Sequence, residues 1–219
     1  MRVDRLADGL WRWTAPHPAW SAEPDEGWER DVACLYHEAP DGIVLIDPLV
    51  PDGDEGERFW RHLDADVARV GLPPTIAVTC PWHGRSADRV RKRYPGAHLL
   101  AVPDAACSPD SDLADGLILP GGVRVLRGDG PGVTRMAVLA CDCHGLVWTS
   151  DLLLGAEGGL RRPPEDDLWL PTEAERAWMR EGLPRLVARL AGTPVAFAVP
   201  AHGEPVLEGA PAAIEAALA

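Results

Sequence analysis

The sequence predicts an α/β fold, and three observations carry that prediction. Between Gly42 and Val102, β-prone apolar runs alternate with helical periodicity, the order of a parallel strand–helix–strand segment. Between Val123 and Ser150, three short apolar runs follow one another with tight connections, which reads as an antiparallel meander. Several of these runs end in Asp or His, and the carboxyl ends of strands are where open α/β sheets place ligand sites.

Gly9 to Thr14 sets Leu and two Trp against Gly and Arg, an opening strand with one buried face. Ala15 to Arg30 is irregular, with Pro16, Pro18 and Pro24, several acids, His17, Trp20 and Trp28. A loop of that length in a compact domain is functional or disordered. Its tryptophans either meet a ligand or pin the loop as a small satellite cluster. Asp31 to Glu38 and Gly42 to Leu49 read as strands joined by the turn residues Pro40, Asp41 and Gly42, and Asp47 stands near the end of the second. Phe59, Leu63, Val67 and Val70 fall at helical spacing in a helix over Glu57 to Val70, stopped by Gly71 and Pro73.

The stretch Ile76 to Arg85, IAVTCPWHGR, organises the chain. It begins as a buried strand over Ile76 to Thr79 and stops at Pro81, which cannot pair in a central strand. Trp82, His83, Arg85 and Ser86 follow, and a helix resumes from Ala87 to Tyr94, so His83 stands between a strand end and a helix entrance. Taken alone, it also suits a structural histidine satisfied by backbone. A strand over His98 to Val102 closes this half, and His62 and His98 read as structural.

The meander places strands at Val123 to Arg127, Arg135 to Cys141 and Gly145 to Ser150. The connection Gly128 to Val133, GDGPGV, lets backbone approach a neighbour closely. Asp142 to His144 is a hairpin turn. The run CDCH, Cys141 to His144, looks like a set of metal ligands, but its strand carries Asp151 at the far end, roughly 25 Å away. Cys143 and His144 therefore lie on the edge remote from His83, Asp129 and Asp151. Cysteines one residue apart are also not a usual zinc spacing. Past Asp151 comes a Pro- and acid-rich loop from Leu152 to Pro171. Thr172, Glu173 and Glu175 then start a helix to Leu190 with Pro184 as a kink or break, Val195 to Val199 is a last strand ahead of His202, and a short Ala-rich helix ends the chain.

A chain of 219 residues without a linker-like stretch reads as a single domain over 1–219. The formal charge of −13 argues against nucleic acid as a partner, since phosphate recognition needs clustered Lys and Arg. Five cysteines in no repeated spacing do not form a disulfide framework. There is no charged start followed by an apolar run, and no apolar stretch of the roughly 18 residues a membrane span needs, so a cytoplasmic protein with no membrane partner is expected.

Asp47, His83, Asp151 and His202 thus share one description, each just beyond a strand, with Asp129 in the glycine loop. Imidazoles and carboxylates converging on one edge suit a divalent transition metal. Here the chain resembles the metallo-β-lactamase fold superfamily. The resemblance lies in IDPL after the third strand, TCPWHGRS at the place of the family's T-H-x-H-x-D-H, GDGPG at its G-H-T-P-G-like turn, WTSDLLLG at its bridging aspartate and PAHG at its last histidine. It implies a four-layer αββα sandwich, two mixed sheets flanked by helices, with the site along one edge.

The resemblance also implies which ligands remain. Pro81 stands at the first histidine, His83 at the second, and Arg85 and Ser86 replace the aspartate and last histidine of that motif. Asp129 replaces the third histidine, while Asp151 and His202 match the bridging aspartate and terminal histidine. A dinuclear centre is not expected. Two readings remain open: one divalent ion (zinc, manganese or iron) on His83, Asp129, Asp151 and His202, serving a hydrolase of an ester, lactone, thioester or related small molecule; or no metal, with Arg85 filling the second-metal volume, paired with Asp151 or Asp47. In the first reading Asp151 and Arg85 are the catalytic side chains, supported by Asp47 and Ser86. His17, Trp20, Trp28, Trp82 and the Leu152 to Pro171 loop are the candidate walls of the pocket. Cys80 is either a soft ligand or nucleophile beside His83 or an inert buried thiol.

Overall fold

The computed structural model of the protein describes residues 1–22 and 28–219; Pro24 and the acids beside it in the irregular segment lie outside the described residues. The chain opens with β1 (Arg2–Ala7), β2 (Leu10–Pro16), β3 (Asp31–Ala39) and β4 (Gly42–Ile46), then α1 (Gly53–Val70), β5 (Thr75–Val78), α2 (Ala87–Arg93), β6 (His98–Ala101) and β7 (Ser111–Asp112). These seven strands form one sheet in chain order, antiparallel from β1 to β4 and parallel from β4 to β7. There follow β8 (Ile118–Leu119), β9 (Val123–Arg127), β10 (Ala137–Cys141), β11 (Leu146–Ser150), the small hairpin β12 (Leu154–Ala156) and β13 (Gly159–Arg161), then α3 (Glu173–Ala188), β14 (Phe197–Pro200) and α4 (Ala210–Leu218). The second sheet has five strands in the order β14-β11-β10-β9-β8, with β14 parallel to β11 and the rest antiparallel.

Three apolar cores separate four layers. Leu63, Val90, Ile43, Leu45 and Ile76 fill the space between α1, α2 and the first sheet. Leu35, Ile46, Val125, Leu139 and Trp148 fill the space between the sheets. Met179, Leu183, Leu186, Val138 and Ile214 pack α3 and α4 on the second sheet. This is the expected αββα sandwich. Among the described residues no helix is long and apolar enough to cross a membrane.

The strands that escaped sequence reading are β1, β7, the two-residue β8 and the β12–β13 hairpin, which lies inside the expected Leu152 to Pro171 loop. β1 runs along the edge with its residues exposed or half-buried, and β7 is Ser-Asp, so neither shows an apolar stripe to read. The capping box is present: the Thr172 hydroxyl accepts from the Glu175 amide at 3.3 Å and the Glu175 carboxylate accepts from the Thr172 amide at 2.8 Å. Such a cap stabilises a helix start by about 1 kcal/mol. Pro184 lies inside α3, which continues through it.

The glycine loop does approach a neighbour closely, but the neighbour is α3. A Cβ at Gly128 or Gly130 would collide with the Trp178 ring, and one at Gly132 with the Glu175 carboxylate. The loop is shaped to seat that helix.

Candidate active site

Each polar group at the site edge is delivered by the end of a strand. Asp47 follows β4, Thr79 follows β5, Asp151 follows β11, and His202 comes just after β14. Because β4 and β5 are parallel, and so are β11 and β14, both pairs open at the same end of the sandwich. The His202 loop is tied to the first sheet by the Ala33 amide on the Ala201 carbonyl (2.8 Å) and by buried Arg12, which donates to the Gly203 carbonyl (2.9 Å). Gly203 has φ +83, and a Cβ there would press on Gly155 at 2.8 Å. Only glycine lets the two loops touch.

Asp47 is wholly buried and makes three hydrogen bonds. Its Oδ1 accepts from the Thr79 amide (2.7 Å), and its Oδ2 from the Thr79 hydroxyl and from His83 Nδ1 (2.8 Å). The carboxylate acts as acceptor throughout, so His83 Nδ1 carries the proton and a neutral ring presents Nε2 as a lone pair. That lone pair faces Asp151 Oδ2 at 3.2 Å without hydrogen-bond alignment. Asp151 also accepts from Trp82 Nε1 at 2.8 Å, and the Cys80 thiol lies 3.6 Å from the same oxygen. His202 Nε2 sits 3.7 Å from Asp151 Oδ1. His83 Nε2, Asp151 Oδ1 and His202 Nδ1 are all buried without a hydrogen-bond partner.

The electrostatics follow from that crowding. Burial and the Arg85 cation oppose charging of His83, but Asp151 and Asp47 together outweigh them and raise its pKa. Burial would raise Asp151, yet the charges of His83 and His202 hold it well below the usual carboxylate range. His202 is lowered, chiefly by burial. His17 is pushed down to about 4, by burial first and then by Arg85 and the two other imidazoles. Burial next to Asp151 drives the Cys80 thiol well up, so it rests protonated.

Backbone strain gathers here too. Of the four non-glycine residues with left-handed φ among the described residues, Asp47 (48°), Arg85 (32°) and Ser150 (52°) surround the site. Such conformations cost about 1–3 kcal/mol each and persist where surrounding contacts enforce them. Here the Thr79 hydroxyl supplies one such contact, donating to Asp47 while 2.9 Å from Ser150 Oγ and accepting from Trp148 Nε1 at 3.0 Å.

A cleft of about 270 Å³ opens over these groups, lined by His17, Trp28, Val32, Trp82, His83, Arg85, Leu168, Trp169 and His202. Trp28 and Trp169 stand edge-on to the His202 ring, with centroids 5.6 and 5.9 Å away.

No family model and no curated protein sequence matches the chain. Solved structures do. The DIM-1 metallo-β-lactamase matches with a TM-score of 0.68 and 12% identity, over 99% of this chain and 94% of its own. A metallo-β-lactamase from Pontibacter korlensis matches at 0.66 and 16%, over 99% and 96%. FIM-1 from Pseudomonas aeruginosa, in a mono-zinc form, matches at 0.64 and 16%, over 99% and 92%. This chain has the metallo-β-lactamase fold.

Within the metallo-β-lactamase fold, the stations read from sequence divide in two. His83, Asp151 and His202 meet, with Asp47 behind His83. Asp129 does not join them: it is exposed and its carboxylate accepts from Trp178 Nε1 at 3.3 Å, because the glycines beside it turn the loop onto α3. Arg85 lines the cleft, but its Nη1 donates to the carbonyls of Ala33 (3.1 Å) and Asp47 (3.2 Å), and among the described residues no carboxylate lies within ion-pair distance. The expected pairing with Asp151 or Asp47 side chains is absent because the strained turn at Arg85 aims it at the end of β3. Ser86 serves the scaffold, its Oγ accepting from the Val50 amide at 3.0 Å. His17, Trp28 and Trp82 wall the cleft; Trp20 is outside it, donating to the Trp28 carbonyl at 3.1 Å.

Sequence reading left out Trp169, Thr79 and Arg12. Trp169 belongs to the Leu152 to Pro171 loop already expected near the pocket; it is buried in the same core as Trp178 while also lining the cleft, and nothing in its local pattern announces the second role. Thr79 and Arg12 act through partners 32 and 191 residues away, beyond any local signal.

Proposed function

We propose that the protein is a hydrolase of a small ester, lactone, thioester or related acyl compound, with one divalent cation held by His83, Asp151 and His202. The observation that carries this reading is the pair of buried, unpartnered ligand atoms, His83 Nε2 and Asp151 Oδ1, beside the second imidazole of His202. The donor set fits a borderline cation such as zinc, with manganese and iron as alternatives; the ligand atoms of Cys80, His83 and Asp151 all lie within 4.8 Å of one another, and His202 Nε2 is 3.7 Å from Asp151 Oδ1. Such a cation, when bound, lowers the pKa of its water to about 7 and polarises a carbonyl oxygen.

The chain's own residues supply the rest of the chemistry. Asp47 fixes the His83 tautomer and ring orientation, the carboxylate support that raises the basicity of a ligating imidazole. Asp151 stays ionised beside His83 and His202, whose charges hold it well below the usual carboxylate range, and so keeps a ligating oxygen turned to the cleft. Arg85, anchored by two carbonyls, keeps Nε unpartnered and offers a fixed positive charge to an oxyanion forming in the cleft. Trp28, Trp82, Trp169 and Leu168 exclude water and receive an apolar acyl group, and the unpartnered Trp169 Nε1 donates to a polar atom of it. The cleft volume limits the ligand to a small molecule.

A second reading has its own support: the raised His83 pKa means that a proton can take the cation's place, making an imidazolium between Asp47 and Asp151 and a metal-free binding pocket. Elemental analysis of protein purified without an affinity-tag metal separates the two. Metal lost in both His83→Ala and His202→Ala, together with loss of turnover on an ester, thioester and lactone panel, supports the hydrolase. Metal content and turnover unchanged in both variants would overturn it and leave the binding pocket.

A further inference from the structure

At the opposite end of the sandwich the fold assembles a second group that the cleft does not use. The Cys141 thiol closes β10 in the core between the sheets, and the Asp142 to His144 turn carries Cys143 and His144. From the other sheet, β3 brings His37 across. Cys141 Sγ lies 2.9 Å from Cys143 Sγ and 3.9 Å from His37 Nε2, and the His37 and His144 rings stand edge-on with centroids 5.1 Å apart. Ligand atoms of His37, Cys143 and His144 all fall within 4.8 Å of one another.

Against the reading of the Cys141 to Cys143 spacing from sequence, which lacked His37 from the other sheet, we propose that His37, Cys141, Cys143 and His144 form a zinc site of two thiolates and two imidazoles, cross-linking the first sheet to the β10–β11 turn of the second. Zn–S bonds of about 2.3 Å and Zn–N bonds of about 2.0–2.1 Å put tetrahedral ligands roughly 3.3–3.8 Å apart. Side chains must shift to close the set, the two sulfurs moving apart from 2.9 Å.

Three further observations fit a cation here. His37 is buried and turns its Nε2 toward the thiols. Gly121, at φ +71, walls the group: a Cβ would collide with His37 Nε2, while its carbonyl lies 3.8 Å from Cys141 Sγ and 3.9 Å from Cys143 Sγ. Cys143 is exposed and His144 half-exposed, which gives the ion a way in.

Cobalt(II) titration of the full-length, reduced protein tests this site apart from the cleft. The wild type should develop thiolate-to-cobalt charge-transfer absorption that Cys143→Ser and His144→Gln lose and His202→Ala keeps. Zinc should raise the Tm of the wild type by on the order of 5 °C and leave that of Cys143→Ser unmoved. Both substitutions are at solvent-accessible positions, so circular dichroism should match the wild type. Absorption missing from the wild type, or unchanged in both variants, would overturn the site. So would a Cys141–Cys143 disulfide, two hydrogens lighter by mass, in protein that retains no metal at this end. Failure of the cleft reading is distinct, since it appears in His202→Ala.

Discussion

At one end of the sandwich β4, β11 and β14 deliver Asp47, Asp151 and His202; at the other, β3 and the β10–β11 turn deliver His37, Cys141, Cys143 and His144. The first end draws positive charge, because the buried Asp151 carboxylate is held ionised by the imidazoles facing it and in turn favours a cation there, whether a proton on His83 or a metal. At the second, burial and the neighbouring Cys143 push the Cys141 thiol up to about 12, while burial and His144 push the His37 imidazole down to about 4. A cation there must displace protons. One fold thus offers a built-in electrostatic demand at one edge and a latent one at the other.

The largest expected effect tests the charged end. Asp47→Ala strips His83 Nδ1 and both Thr79 groups of a buried partner and should cost about 3–5 kcal/mol in urea unfolding, along with the cleft's metal affinity. A loss below 1 kcal/mol would mean that the charged end is not held by this carboxylate. Gly130→Ala, away from both ends, should cost about 1–3 kcal/mol through its collision with Trp178 while leaving cleft metal content unchanged, since that loop serves α3. Loss of cleft metal in Gly130→Ala or in Asp129→Asn would restore Asp129 to the site.

Trp82→Phe removes the indole donor to Asp151 and should cost about 1 kcal/mol, with the fall in kcat exceeding any change in KM. Steady-state kinetics on the best ester of the panel reads the difference. Cys143→Ser, at the opposite end, should stay within about 0.5 kcal/mol of wild type in metal-free protein. A larger loss would mean that the thiol pair already stabilises the fold without a cation.

The pH dependence has opposite signs for two cleft histidines. His17 titrates near 4 in the folded protein instead of 6.5, so its contribution is complete above 6.5 and lost as pH falls toward 4. His83 is raised, so its contribution in metal-free protein is full below 6.5 and lost as pH rises through the elevated value. Replacing His17 by Asn should flatten the rise in urea midpoint between pH 4 and 6.5, and imidazole NMR shifts should place the two titrations on opposite sides of the ordinary value. Titration of His17 at its ordinary value would show that the loop carrying it does not close over the cleft.

Much of the fold was legible because its signals are local. Leu63 and Val67 at helical spacing, the alternation in β2, and Pro81 directly behind β5 each report a structure whose repeat spans a few residues. The same locality placed Asp47, His83, Asp151 and His202 behind strands. It failed for β1 and β7, which bury too little to leave a pattern, and for Arg85, whose partners are carbonyls set by a left-handed turn.

The sequence by itself determined where each strand stops and which reactive side chain stands there, since strand and helix periods are written into neighbouring residues. Only the tertiary structure decided which of those ends meet. Asp129 shares its description with the others, yet packing of Trp178 on Gly128 and Gly130 turns it away, while His37, a plain strand residue in sequence, is carried across the sandwich to Cys141. Convergence depends on how two sheets and their helices pack, and residues 104 positions apart carry no local trace of that contact.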